Sequence, residues 1–176
     1  MTTFTITVQD REVLDALQAL TKRMGNLKPA LQAIGDDITD RTKRRFETST
    51  GPDGTAWAPN SDVTLGIYSL RLGQSHRKKD GSLNKKGQTR LAGKKPLIDT
   101  GELRRQIVPL ATNSVLTVTA TPAYAAIHQF GGQAGRGQKV KIPARPFLPI
   151  KPNGDLYPQE QALILDTLQS FLTGDI

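Results

Sequence analysis

The chain has 176 residues, a length that suits one domain with a modest apolar core. It has no cysteine, which excludes a disulfide framework and thiolate metal sites, and no apolar run approaches the roughly 20 residues of a membrane span. The net charge of +8 points to a polyanionic partner, yet between Arg71 and Lys95 nine cations meet a single acid, Asp80, so one stretch holds the whole excess.

At the N-terminus, Met1-Thr2-Thr3-Phe4 lacks a signal-peptide pattern, which implies a soluble protein made in the cytoplasm. Phe4, Ile6 and Val8 alternate with polar residues, the period of a half-buried strand over 3–9. Asp10 is placed to cap a helix in which Val13, Leu17, Leu20 and Met24 recur at helical spacing up to Gly25. Pro29 suits the first turn of a second helix with Leu31, Ile34 and Ile38 as its apolar stripe. Lys43, Arg44 and Arg45 fall in its last turns, where cations favour the negative end of the helix dipole, and a solvated helix end is preferred to a binding patch. Gly51-Pro52-Asp53-Gly54 has the residues of a type I turn. Trp57, the only tryptophan, is either a core plug or an anchor at a subunit contact, with packing favoured.

From residue 61 to 96 the chain is rich in Gly, Ser, Asn and cations, among them Arg77, Lys78, Lys79, Lys85 and Lys86. It reads as a mobile basic arm with a short ordered piece near Leu65 to Leu72. Two roles compete: a solubilising loop, or an arm that orders on a neighbouring subunit, an acidic ring or DNA.

Asp99 and Glu102 suit the N-cap and third positions of a short helix that carries Leu103 and Ile107 and stops at Pro109. Residues 114–121 alternate as the clearest strand. Tyr124, Ile127 and His128 share a face if the next stretch is helical; Ala125, Ile127 and Gln129 do so if it is extended. Gly131-Gly132 stops either form, and a glycine-rich loop follows. Lys139 to Ile142 returns as a strand. Arg145, between Pro143 and Pro146, has donors to fork onto a carboxylate, of its own chain by preference or of a neighbour. Phe147 and Leu148 re-enter apolar surroundings, and a last helix starts near Pro158 with Ile164, Leu168, Phe171 and Leu172 on one stripe. Neither Asp99 with Glu102 nor His128 has the ligand or nucleophile company that catalysis needs, so both read as structural, and no cofactor or metal is expected.

Leu97-Ile98-Asp99-Thr100-Gly101-Glu102-Leu103-Arg104, then Tyr124-Ala125-Ala126-Ile127-His128-Gln129-Phe130-Gly131-Gly132, then Ile142-Pro143-Ala144-Arg145-Pro146-Phe147-Leu148 form an ordered set, with Phe46 and Pro52 to Trp57 upstream. In this order they resemble the virion morphogenesis family of tailed phages, which includes Mu-like G proteins and tail-completion proteins of contractile-tailed phages. The resemblance runs from about Phe46 to Leu148 and continues weakly into both terminal helices. It departs at Pro149, where members often have Gly. It implies a structural role in virion assembly at the head–tail junction, without bond-making chemistry.

The expected architecture is α+β over 1–176: two N-terminal helices and one C-terminal helix on a small antiparallel sheet drawn from 3–9, 114–121 and 139–142, with a long basic loop at 61–96. A sheet of so few strands has open edges that a homo-oligomeric ring would cover. Neck, portal-side or tail-terminator components of a virion are the expected partners, with the host cytoplasm as the place of assembly. Expected contact residues are Trp57, Tyr124, His128, Phe130, Arg145, Phe147 and the arm cations. The rival readings are a capsid-assembly or nucleic-acid-binding protein that uses the basic arm, and a hydrolase that uses His128.

Overall fold

The computed structural model describes residues 11–174. The expected strand at 3–9 and the cap at Asp10 lie outside the described residues. Among the described residues, seven α-helices and two small antiparallel sheets give an α+β architecture. Helix α1, Arg11–Met24, lies against α7, Pro158–Thr173, where Arg23 Nη1 donates to the Leu172 carbonyl at 2.9 Å. Helix α2, Lys28–Thr48, starts with Pro29 in its first turn and packs on both α7 and the first sheet.

That sheet pairs β1, Ile107–Ala111, with β2, Leu116–Ala120, in the register Pro109 to Val118. Ile107 and Ala111 are buried, whereas Val108 and Leu110 face out. Gly35 of α2 makes the packing tight: a Cβ there would stand 2.8 Å from both Pro109 Cβ and Leu116 Cδ1. The second sheet pairs β3, Gly132–Ala134, with β4, Val140–Ile142, around a short 3-10 turn at Arg136–Gln138.

Several expectations change here. The strands 114–121 and 139–142 belong to two separate sheets, because each finds a partner nearby in sequence. The first partner, Ile107–Ala111, lies where the sequence pattern predicts the tail of a helix. Helix α5, Glu102–Arg105, is only one turn long, and the chain enters β1 directly, where Pro109 is tolerated in a strand with an open edge. Asp99 does not cap α5. Gly101, at φ 77, holds the N-cap position and leaves Asp99 two residues upstream of it. The stretch after Tyr124 is helical, as α6, Ala125–Phe130.

The segment 61–96 is not a plain loop. It holds α3, Asp62–Leu70, a 3-10 turn at Gln74–His76, and α4, Lys85–Ala92. Side-chain caps start both helices: Ser61 accepts from Thr64 N and Asn84 accepts from Gly87 N. These caps stand in the polar composition that otherwise reads as disorder.

One hairpin recurs three times. Thr50 pairs with Ala56, Arg77 with Leu83, and Ile150 with Leu156. In each, an Asx residue (Asp53, Asp80, Asn153) accepts through Oδ1 from the backbone N–H two residues on, at 3.0, 2.9 and 3.1 Å. The intervening glycine takes φ of +79, +81 and +91. An Asx turn followed by a left-handed residue fixes the same return each time.

The core lies where α2, the first hairpin and residues 142–148 meet. Phe46 and Phe147 are fully buried, with Trp57, Leu103, Ile107 and Ala125 around them. The Phe46 ring stands 5.5 Å from Trp57, edge to face, and 5.4 Å from Phe147.

Candidate functional site

The strip Pro143 to Leu148, which follows β4, is denied regular pairing by its prolines, so side chains hold it. Trp57 Nε1 donates to the Pro146 carbonyl at 2.9 Å. Arg145 donates through Nε to the Ala58 carbonyl at 2.8 Å and through Nη2 to the Pro59 carbonyl at 2.7 Å. The clamp is thus within the chain, but its acceptors are carbonyls and not a carboxylate. Gln129 of α6 completes it: Oε1 accepts from Phe147 N and Leu148 N, both at 2.9 Å, and Nε2 donates to the carbonyls of Leu148 and Ile150.

Beneath the strip, Arg45 corrects the expectation of a solvated helix end. It is buried, donates through Nη1 to the Phe147 carbonyl at 2.8 Å and pairs through Nη2 with Glu160. Burial pulls its guanidinium below the usual range, and the Glu160 carboxylate opposes that. Arg41 Nε also reaches Glu160, at 3.2 Å. Lys43 and Arg44 are exposed, as expected. The signal for Arg45 was in the spacing, since it falls seven residues after Ile38 on the buried side of α2. Gln129 gave no such signal, because its acceptors come from a segment without periodicity.

So supported, α6, α3, β4 and residues 94–103 enclose a groove of about 1150 Å³. Val63, Ile67, Tyr124, His128, Val140 and Arg145 are among the side chains that line it. The Tyr124 and His128 rings meet edge to face at 5.9 Å. Burial, with the Glu102 carboxylate second, raises the Tyr124 phenol. Burial, with the Arg145 charge second, lowers the His128 imidazole, whose buried Nδ1 has no hydrogen-bond partner among the described residues. A histidine held neutral in the fold binds a proton more readily when unfolded, so stability is lost as pH falls below about 6.5. In His128→Phe, urea midpoints measured across that window should flatten relative to the parent; an unchanged slope would remove His128 as the cause.

The structure therefore brings Tyr124, His128 and Arg145 to one groove. It puts Trp57 and Phe147 in the core and leaves Phe130 exposed at the end of α6. The arm cations lie apart from these and differ among themselves. Arg77 acts as a strut, donating to the carbonyls of Ser69 and Gly81, both at 2.7 Å. Lys78, Lys79, Lys85 and Lys86 are exposed and make no side-chain hydrogen bond among the described residues. The arm is tied at its neck: Asp99 accepts from Lys94 at 2.9 Å and from Arg71 at 3.1 Å, which holds its carboxyl below the usual range, Lys94 contributing first. Lys94 Nζ also sits 4.5 Å over the Tyr68 ring. No group of three or more His, Cys, Asp or Glu placed to hold a metal occurs among the described residues, and no helix among them is long and apolar enough to cross a membrane.

Comparison with known proteins matches residues 8–173 to the phage virion morphogenesis family. A curated relative, the Mu-like prophage FluMu G protein 2 of Haemophilus influenzae, is 31% identical over 161 residues, covering 92% of this chain and 89% of the relative. No solved structure matches the chain.

Proposed function

The chain belongs to the phage virion morphogenesis family and is a structural protein of phage particle assembly; from that membership we propose that it completes the tail or joins it to the head at the neck, as a homo-oligomeric ring. It acts by binding alone, its partners are neck, portal-side or tail-terminator components, and it ends in the virion after assembly in the host cytoplasm.

The observation that carries this reading is the bare stripe on α1. Leu14, Leu17 and Met24 are 46%, 54% and 62% exposed, although they recur at the spacing of a buried face. Apolar residues in such a row are a contact surface for another protein, and a second copy is the occupant that a ring supplies. Among the described residues each sheet has two strands, so every strand also keeps an edge without a partner strand among them. Val108 and Leu110 offer a further apolar face on a different element. Unlike patches that meet head to tail close into rings, whereas like patches make two-fold dimers. Tyr124 and Phe130, each 43% exposed, serve as aromatic anchors toward neighbouring components.

Leu17→Asp tests this directly. Leu17 is more than half exposed, so the circular dichroism and unfolding midpoint should stay close to those of the parent. The mass in solution should drop from a ring to a monomer, and complementation of a phage lacking the gene should fail. A parent protein that is monomeric at all concentrations, or a variant that restores full infectivity, would contradict the reading.

A further inference from the structure

The arm gathers more cations than the carboxylates beside them offset among the described residues. A second hollow, of about 890 Å³, opens between α3, α4 and residues 93–99, and His76, Lys85, Lys86, Arg90, Lys94 and Lys95 line it. Asp99, the one carboxylate in that lining, is already held by Lys94 and Arg71. Lys95 is also engaged, with the Glu47 carbonyl. Lys85, Lys86 and Arg90 remain, all exposed and without a side-chain partner among the described residues.

Lys85 and Lys86 are placed on α4 against local helix physics, whereas Arg90 falls in its last turn, where a cation is favoured. Asn84 is the N-cap, so Lys85 and Lys86 occupy the first two helical positions, at the positive end of the dipole, where acids are favoured. Lys86 and Arg90 stand four apart, a like-charge pair that destabilises a helix. Two cations at the wrong end of the helix and one like-charge pair, all lining one concavity, become favourable together when an anion enters it.

We propose that this hollow binds the phosphodiester backbone of a nucleic acid. Interfaces with nucleic acid are far more positively charged than those between proteins, and phosphates neutralise several cations at regular spacing. Apart from the stems of its Lys and Arg side chains, the large apolar groups of the lining are Tyr68 and Ile98, and the Tyr68 ring already lies under Lys94. An acidic protein partner would be expected to seat an aromatic or aliphatic anchor, whereas here the one aromatic ring of the lining, Tyr68, is already covered by Lys94. The inference goes beyond the ring reading and stands or falls separately, since it needs neither the α1 stripe nor a particular stage of assembly.

The test is titration of the full chain onto a labelled random-sequence DNA duplex between about 50 and about 200 mM salt. Affinity should fall steeply with salt. The combined Lys85→Ala, Lys86→Ala, Arg90→Ala variant should bind at least about tenfold more weakly and flatten the log–log salt slope by about 3, because each phosphate contact contributes about 0.9. A control that removes three exposed cations elsewhere, Lys22→Ala, Lys28→Ala and Lys139→Ala, should keep most of the affinity. No binding at the lowest salt, or an equal loss in the control, would overturn the proposal. So would polyglutamate that binds as tightly as the duplex and is lost in the same variant, which would assign the hollow to an acidic protein.

Discussion

Glu160→Ala should destabilise the fold by about 3–5 kcal/mol, the cost of leaving a buried charge without its partner. Glu160 lies in the first turn of α7, where the helix dipole favours a carboxylate, and it receives Arg45 and Arg41 from α2. With the carboxylate gone, Arg45 keeps its bond to the Phe147 carbonyl but has no counter-charge in a site almost closed to water. Burial already disfavours its charged form. Glu160→Gln should cost less, since the amide oxygen still accepts from the guanidinium. Replacing both partners, as Arg45→Met with Glu160→Leu, should recover much of the loss, because the penalty arises from the orphaned charge more than from the pair itself. Urea midpoints for the three proteins measure this. A loss below about 1 kcal/mol in Glu160→Ala would show that water reaches the site and that the pair behaves like a surface one.

Phe147→Ala should cost a similar amount, about 3–5 kcal/mol, from lost transfer energy and the cavity left behind. Its ring has no exposed surface and packs on Phe46, which in turn packs on Trp57. The site has little room to collapse, because Gln129 and Arg45 fix the backbone of Phe147 from both sides. Phe147→Leu should cost less, since most of the volume stays. As Trp57 is the sole tryptophan, its fluorescence reports on the same cluster: emission should shift to the red in Phe147→Ala before unfolding and stay near the parent in Phe147→Leu. A loss under about 1.5 kcal/mol with unchanged emission would mean that the strip is not anchored in the core as described.

Both predictions concern residues whose surroundings were only partly legible in the sequence. Helices with regular stripes and a proline at the start, α2 and α7, could be read directly, because each is specified by residues within itself. The strand at 116–120 could be read for the same reason. Its partner β1 could not, since Ile107 to Ala111 contains a proline and alternates too briefly to distinguish a strand from a helix end. The first hairpin was evident from Pro52-Asp53-Gly54, whereas the same turn at Asp80-Gly81 and Asn153-Gly154 was masked by the charged or proline-rich residues around it. The arm composition suggested disorder, yet two capping side chains and an Asx turn are local devices that order it without a large core. Gln129 and Glu160 were beyond reach, because their partners lie 18 and 115 residues away in the chain and only the folded arrangement brings them together.

The same holds for the surface. The α1 stripe predicts a covered face, and the fold leaves that face bare. Under the function proposed above, the missing contacts lie on other chains, and the apolar rows and open strand edges are the means of assembly.

The most direct measurement is electron microscopy of a lysate from a phage that lacks this gene. Filled heads and full-length tails lying separate, restored to joined particles by the parent gene, are the predicted result. Intact infectious particles would contradict the account, and loss of the heads themselves would move the protein to capsid assembly.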